Sequence, residues 1–363
     1  MKKAISALTA VLCLISFCCC NSSKPIGTIT DTETETETET VPDSSTAVSE
    51  TETEPEAVQM QIIPDLSFMS GMKLITQKDH KHGDRYQTFG NHGFYGEEVT
   101  APLWKLAQWD SGPDLSECII ESDDKTITDG RWRTFAYDPD ENMMTFSLDT
   151  SAYYNGNPSV EGNYWPHLLI EQSDFGYAKL GASQKKFLRC SSENLILSMD
   201  IRLGDYEKTR IDGDWVRAAQ FLLYFYVKGT STNDFCWFGV QLFDSRWDHH
   251  GNETGYDGGK PDASSAMIYS IGTSHVYPDK NLWKDDIPVP NGEWVHIEID
   301  LKPYLEEMFE RGSEDRYFKA KSLDDLCING MNIGWETIGT FKHTMYVKNL
   351  SLISFPAGMP NDK

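Results

Sequence analysis

The 363-residue chain has no apolar run long enough to span a bilayer, no CxxC pair, no internal repeat and a shortage of basic residues. Its longest apolar stretch, Ala4 to Phe17, falls short of the roughly 20 residues that a membrane helix requires. Without paired CxxC spacing, a structural zinc site has no ligand pattern to rest on. The 32 Lys and Arg stand against 56 Asp and Glu, for a net charge of −24, which repels nucleic acid and anionic lipid alike. Alternation of strands with helices is missing, so nothing feeds a parallel α/β sheet. There is also no GxSxG elbow and no ExDxxE strand, and hence no ready-made catalytic signature. Four of the eight cysteines (Cys118, Cys190, Cys236, Cys327) lie apart from one another and from the N-terminal group. Two disulfides in an exported protein and buried free thiols both fit that spacing.

What is present begins with an address. Lys2 and Lys3 precede the apolar run, and Cys18-Cys19-Cys20 follow it, the layout of a secretion signal over residues 1–20. A cysteine at this exit resembles the lipobox of bacterial lipoproteins, which implies lipidation at Cys18, Cys19 or Cys20 and a membrane partner through that anchor. Residues 21–60 then carry ten acids and one base, Lys24, with Thr and Glu alternating from Thr32 to Thr40. So little apolar content cannot offset the entropy of ordering, and like charges extend the chain. The expectation is a disordered, solvated stalk that holds a domain of residues 61–363, with net charge −17, outside the cell.

That domain reads as strands and loops. Short β-branched and aromatic stretches predict strands at Met143–Leu148, His167–Gln172, Leu195–Leu203, Gln220–Lys228, Phe235–Phe243, Met267–Ile271, Trp294–Asp300 and Met345–Ile353. One stretch, Leu301–Arg311, has helical spacing, with Asp300 as its expected cap and Gly312 as its expected stop. The pattern predicts an all-β fold, an antiparallel β-sandwich of jelly-roll type with one short helix. Its expected core is Leu197, Met199, Phe221, Leu223, Phe225, Phe238, Val240, Ile297 and Ile299.

Side chains alternate along a strand, so each apolar face implies an opposite one. Here the opposite faces carry Tyr224, Tyr226, Trp237, Gln241, Asp200, Arg202, His167, Glu171 and Glu298. Flat rings beside directional hydrogen-bonding groups suit sugars, whose C–H faces lie on aromatics and whose rims are hydroxyls. The expectation is that these residues converge on one concave groove for a polysaccharide or oligosaccharide, with Trp237 as a stacking platform.

Three stretches, Trp165–Gln172, Trp237–Arg246 and Asn332–Glu336 with the closing Val347–Leu352, resemble exported bacterial lipoproteins of carbohydrate use. The closing strand is similar to that of jelly-roll carbohydrate-binding modules. The resemblance implies a carbohydrate-binding or carbohydrate-active domain without naming an activity. Two function classes follow: a binding lipoprotein, or an enzyme cutting a polysaccharide on the same face. As an enzyme, its candidates are His167, Glu171, Asp200, Arg202, Tyr226, Gln241 and Glu298, with Glu171 paired to Asp200 or Glu298 in a hydrolase. The set Arg202, Gln241, His167 and Tyr226 is similar to that of jelly-roll polysaccharide lyases. The acidic loop after Asp244 offers Asp244, Asp248 and Asp257 as ligands for a structural calcium of the kind such modules hold.

Overall fold

The computed structural model describes residues 59–75, 88–107, 119–120, 124–160, 165–209, 213–246, 251–257, 265–278, 283–284, 287–288 and 292–356. The signal-type segment with Cys18–Cys20, the Thr/Glu tract, Cys118 and Asp248 lie outside these residues. Among those described, no helix is long and apolar enough to cross a membrane.

Short strands open the chain: β1 Met60–Gln61, β2 Met72–Ile75, β3 Thr88–His92, β4 Trp104–Ala107, β5 Ile119–Ile120 and β6 Thr126–Thr128. Longer ones follow: β7 Arg133–Asp138, β8 Met143–Asp149, β9 His167–Gln172, β10 Asn194–Lys208, β11 Ala218–Gly229 and β12 Phe235–Asp244. The chain then forms β13 Glu253–Tyr256, β14 Met267–Ile271, β15 Trp283–Lys284, β16 Ile287–Pro288, β17 Val295–Asp300, β18 Leu326–Ile338 and β19 Phe341–Phe355. Two sheets carry the fold. One has eight strands, β17-β10-β19-β8-β7-β6-β5 with β1 added on β19. The other has nine, β13-β14-β12-β11-β18-β9-β4-β2-β3.

The two sheets pack as the β-sandwich that the strand pattern predicts. Leu197, Met199 and Ile297 of the eight-stranded sheet and Phe221, Leu223, Phe225, Phe238 and Val240 of the nine-stranded one join a single apolar core. Every expected core residue is buried, Ile299 being the most exposed at 9%. Ring contacts tie the layers, with Phe146 and Phe221 edge to face at 5.2 Å. The Trp335 indole N–H crosses from β18 to donate to the Phe146 carbonyl at 3.0 Å. All eight expected strands are present, several of them longer than their apolar stretch.

Four features depart from the sequence reading. Strands ahead of the first expected one join both sheets: β1 pairs with β19 and β2 enters the nine-stranded sheet. β18, central in that sheet, escapes the propensity pattern because Gly330 and Gly334 interrupt it at φ +155° and +147°. Two parallel pairs, β12 with β14 and β2 with β4, sit within the otherwise antiparallel sheet.

The fourth concerns helices. The expected one runs from Lys302 to Glu314, with Leu305 and Met308 buried and Leu301 at the cap position. Asp300 lies one residue earlier yet still accepts from the Lys302 N–H at 3.0 Å, and Gly312 is inside the helix rather than its stop. Further helices occur at Thr150–Tyr153, Ala182–Leu188 and Thr273–Val276, too short to show a helical period.

Candidate functional site

The outward face of the nine-stranded sheet is built in cross-strand rows. In one, Gly239, Tyr224, Asn332, Glu171 and Lys105 follow each other across β12, β11, β18, β9 and β4. In the next, Gln241, Leu222, Gly334, Leu169 and Ala107 do the same. A third row sets Asp244, Gln220, Glu336 and His167 side by side. Six expected residues therefore share this face: Tyr224, Tyr226, Trp237, Gln241, His167 and Glu171.

Glycines make room for its rings. A Cβ on Gly239 would stand 2.4 Å from the Tyr224 ring, and one on Gly330 would stand 2.6 Å from that of Tyr226. The pairing of β11 with β18 slips between Phe225 and Val227, next to Gly330, and this bulge aims Tyr226 across the neighbouring strand. Trp237 then stands edge-on to Tyr226 at 4.9 Å and to Phe235 at 4.7 Å.

A polar network crosses the same strands. Tyr226 donates its hydroxyl proton to Glu171, whose other carboxylate oxygen is 2.9 Å from the Lys105 ammonium. Asn332 Nδ2 donates to the Tyr226 oxygen at 3.2 Å. Gln220 Nε2 donates to Asp244 at 2.8 Å, and the Arg246 guanidinium holds that carboxylate from 2.6 Å. His167 Nε2 lies 3.1 Å from the Ala107 carbonyl. Three amide oxygens on this face, Gln220 Oε1, Gln241 Oε1 and Asn332 Oδ1, are buried with no hydrogen-bond partner among the described residues.

The face is covered. Tyr224, Tyr226, Trp237, Gln241, His167 and Glu171 are at most 4% exposed, so the expectation of Trp237 as an open platform does not describe this structure. The rings are instead held in a satellite apolar cluster with Leu169, Leu222, Ala266 and Ile268.

Asp200, Arg202 and Glu298 are not part of this site. They lie on β10 and β17, on the outward face of the eight-stranded sheet, across the core from the other six. Alternation fixes which side of its own strand a residue takes, but not which sheet that strand joins. Pairing Glu171 with Asp200 or Glu298 is therefore ruled out by the thickness of the sandwich, and the lyase-like set is broken by the position of Arg202. The calcium expectation fails at Asp244, whose carboxylate is taken up by Arg246 and Gln220. Asp257 is buried at 1% exposure, and no group of three potential metal ligands occurs among the described residues.

Lys105, Asn332 and Glu336 neighbour Glu171 and Gln241 without being among the expected residues; Gln220, on the same alternating face as Tyr224, and Asp244, expected as a calcium ligand, join them. A signal existed: Asn332, Gly334 and Glu336 alternate with Ile333 and Trp335. Cys190, Cys236 and Cys327 are free and buried, and burial raises the pKa of each thiol, that of Cys327 to about 12.

No family model and no curated protein matches the chain. Solved structures do. A family 12 xyloglucanase from Bacillus licheniformis is similar over 65% of this chain and 96% of its own, at 10% identity and a TM-score of 0.37. An endoglucanase from Rhodothermus marinus is similar over 69% of this chain and 97% of its own, at 10% identity and a TM-score of 0.34. A family 11 xylanase from Neocallimastix patriciarum is similar over 61% of this chain and 85% of its own, at 9% identity and a TM-score of 0.33. At such values the functional reading rests on this chain's own residues.

Proposed function

We propose that this chain is an exported, lipid-anchored protein that binds a neutral polysaccharide or oligosaccharide at the outward face of its nine-stranded sheet. The observation that carries this reading is the set of three unpartnered amide oxygens, Gln220 Oε1, Gln241 Oε1 and Asn332 Oδ1, on one ring-lined face. A buried acceptor left unpaired costs about 1–3 kcal/mol, so three together call for donors from outside the chain. The carboxylates of Glu171, Glu336 and Asp244 stand in the same rows. A lining of amide and carboxylate acceptors, with Glu171 and Asp244 already neutralised by Lys105 and Arg246, suits an uncharged ligand with many hydroxyl donors. Sugars meet that description. The face is buried in this structure, so the reading rests on its polar groups and not on an open groove.

The anchor and stalk belong to the same proposal: a lipidated cysteine at 18–20 and an acidic tether present the sandwich to extracellular glycans. A second reading, polysaccharide hydrolysis, is favoured by one observation: Glu171 and Glu336 share this face on adjacent strands, with His167 paired to Glu336. The test is a panel of neutral polysaccharides scored for both retention and released reducing ends. Retention without release supports binding; release that disappears in Glu336→Gln supports the hydrolase. A panel that shows no retention and no release would reject the glycan reading.

A further inference from the structure

We infer that the opposite sheet carries a second, separate glycan site, specific for a sugar bearing a carboxylate. On the outward face of the eight-stranded sheet, Arg202 pairs across strands with Tyr346, and the neighbouring pair Ile201–Val295 sets Trp294 on its other side. The Arg202 guanidinium lies 4.4 Å from the Tyr346 ring centre and 5.0 Å from that of Trp294. Trp294 is 39% exposed, unlike the rings of the nine-stranded face. A guanidinium stacked on rings keeps its N–H donors in its own plane, the geometry that a carboxylate accepts with two oxygens.

The charges around it single out Arg202. Lys348 is held by Glu141 at 2.6 Å, although its ammonium also reaches the Trp294 ring at 5.1 Å. His296 Nδ1 faces Asp200 at 2.8 Å, and Asn349 donates to the other Asp200 oxygen at 2.6 Å. Burial alone would raise the Asp200 pKa, but these bonds outweigh it and hold the carboxyl below its ordinary value. Arg202 has no acid partner among the described residues, and its Nε is buried without a hydrogen bond. An exposed indole within stacking distance of an uncompensated guanidinium is complementary to a uronic acid: a C–H face for the ring, a carboxylate for the fork. An acidic peptide offers the charge but lacks the flat face.

The test uses the mature chain with tri-galacturonate and its carboxyl-reduced trimer as probes, at physiological ionic strength, where charges beyond about 8 Å are screened. Neutral-glycan retention is read in parallel, so that either site can fail alone. The expected result is binding of tri-galacturonate that weakens roughly tenfold on carboxyl reduction, the scale of one charge-assisted hydrogen bond. Arg202→Gln and Trp294→Ala each remove that preference and leave neutral-glycan retention unchanged. Trp294→Phe keeps a ring and retains most of the preference, which guards against a variant that simply misfolds. Equal binding of the two trimers, unchanged preference in Arg202→Gln, or equal competition by poly-glutamate would overturn the inference.

Discussion

The Tyr226 hydroxyl donates to the Glu171 carboxylate across the intervening strand β18, while Lys105 holds the other oxygen from the far side at 2.9 Å. Three strands are thus linked through one buried carboxylate. Tyr226→Phe removes its hydroxyl donor and also strands the Asn332 amide that donates to the same oxygen. The expected cost is about 1–3 kcal/mol of unfolding free energy in urea titration. A midpoint equal to the parent's would show that the network contributes nothing to the fold.

Trp237 gives a different expectation from an exposed ring. It is 2% exposed and wedged among Tyr226, Phe235 and Tyr224. Trp237→Ala leaves a cavity in the middle of the sheet, with an expected destabilisation of about 3–5 kcal/mol. Thermal unfolding checks this; a stable variant that loses only glycan retention would restore the open-platform view.

The apolar faces were legible because they need only a period of two. Leu197, Met199, Phe221, Leu223 and Phe225 are all buried as read. Sheet membership was not legible, because it depends on pairings between residues far apart in sequence, such as β10 with β19. That is why strand alternation groups Asp200 and Arg202 with Glu171 although the core separates them. Strand β18 was hidden for a local reason: the glycines that lower its propensity are the ones that make space for Tyr226 and for the Leu168 backbone. Burial of the polar face was equally invisible, since alternation says nothing of what covers a sheet.

Acid should weaken the fold through His343. This imidazole is fully buried against the Trp335 ring at 3.8 Å, with Nε2 3.0 Å from the Thr337 hydroxyl oxygen. Burial lowers its pKa from 6.5 to about 3. Below 6.5 the unfolded chain takes up a proton that the folded one refuses, so stability falls as pH drops toward 3. The expected contribution is about 1.4 kcal/mol for each pH unit across that window. In His343→Gln the slope of unfolding free energy against pH should flatten between pH 6 and 4; an identical slope would assign the acid sensitivity elsewhere.

The anchor has its own outcome. Growth with labelled palmitate should mark the wild-type chain, and replacing Cys18, Cys19 and Cys20 together by Ala should abolish the label and release the protein from the membrane. Unlabelled wild-type protein, soluble in the medium, would reduce the N-terminus to a simple secretion signal.

The central claim, that the unpartnered acceptors exist for a ligand, is tested most directly by Gln241→Leu, followed for stability and glycan retention together. Gln241 is 3% exposed and its Oε1 has no hydrogen bond among the described residues. Leucine, one bond shorter and apolar, removes an unpaired polar group from an apolar setting. The account predicts a variant more stable by on the order of 1 kcal/mol that binds the retained glycan roughly tenfold more weakly. A variant that loses stability while binding as well as the parent would contradict it, since Gln241 would then serve the fold and not a sugar.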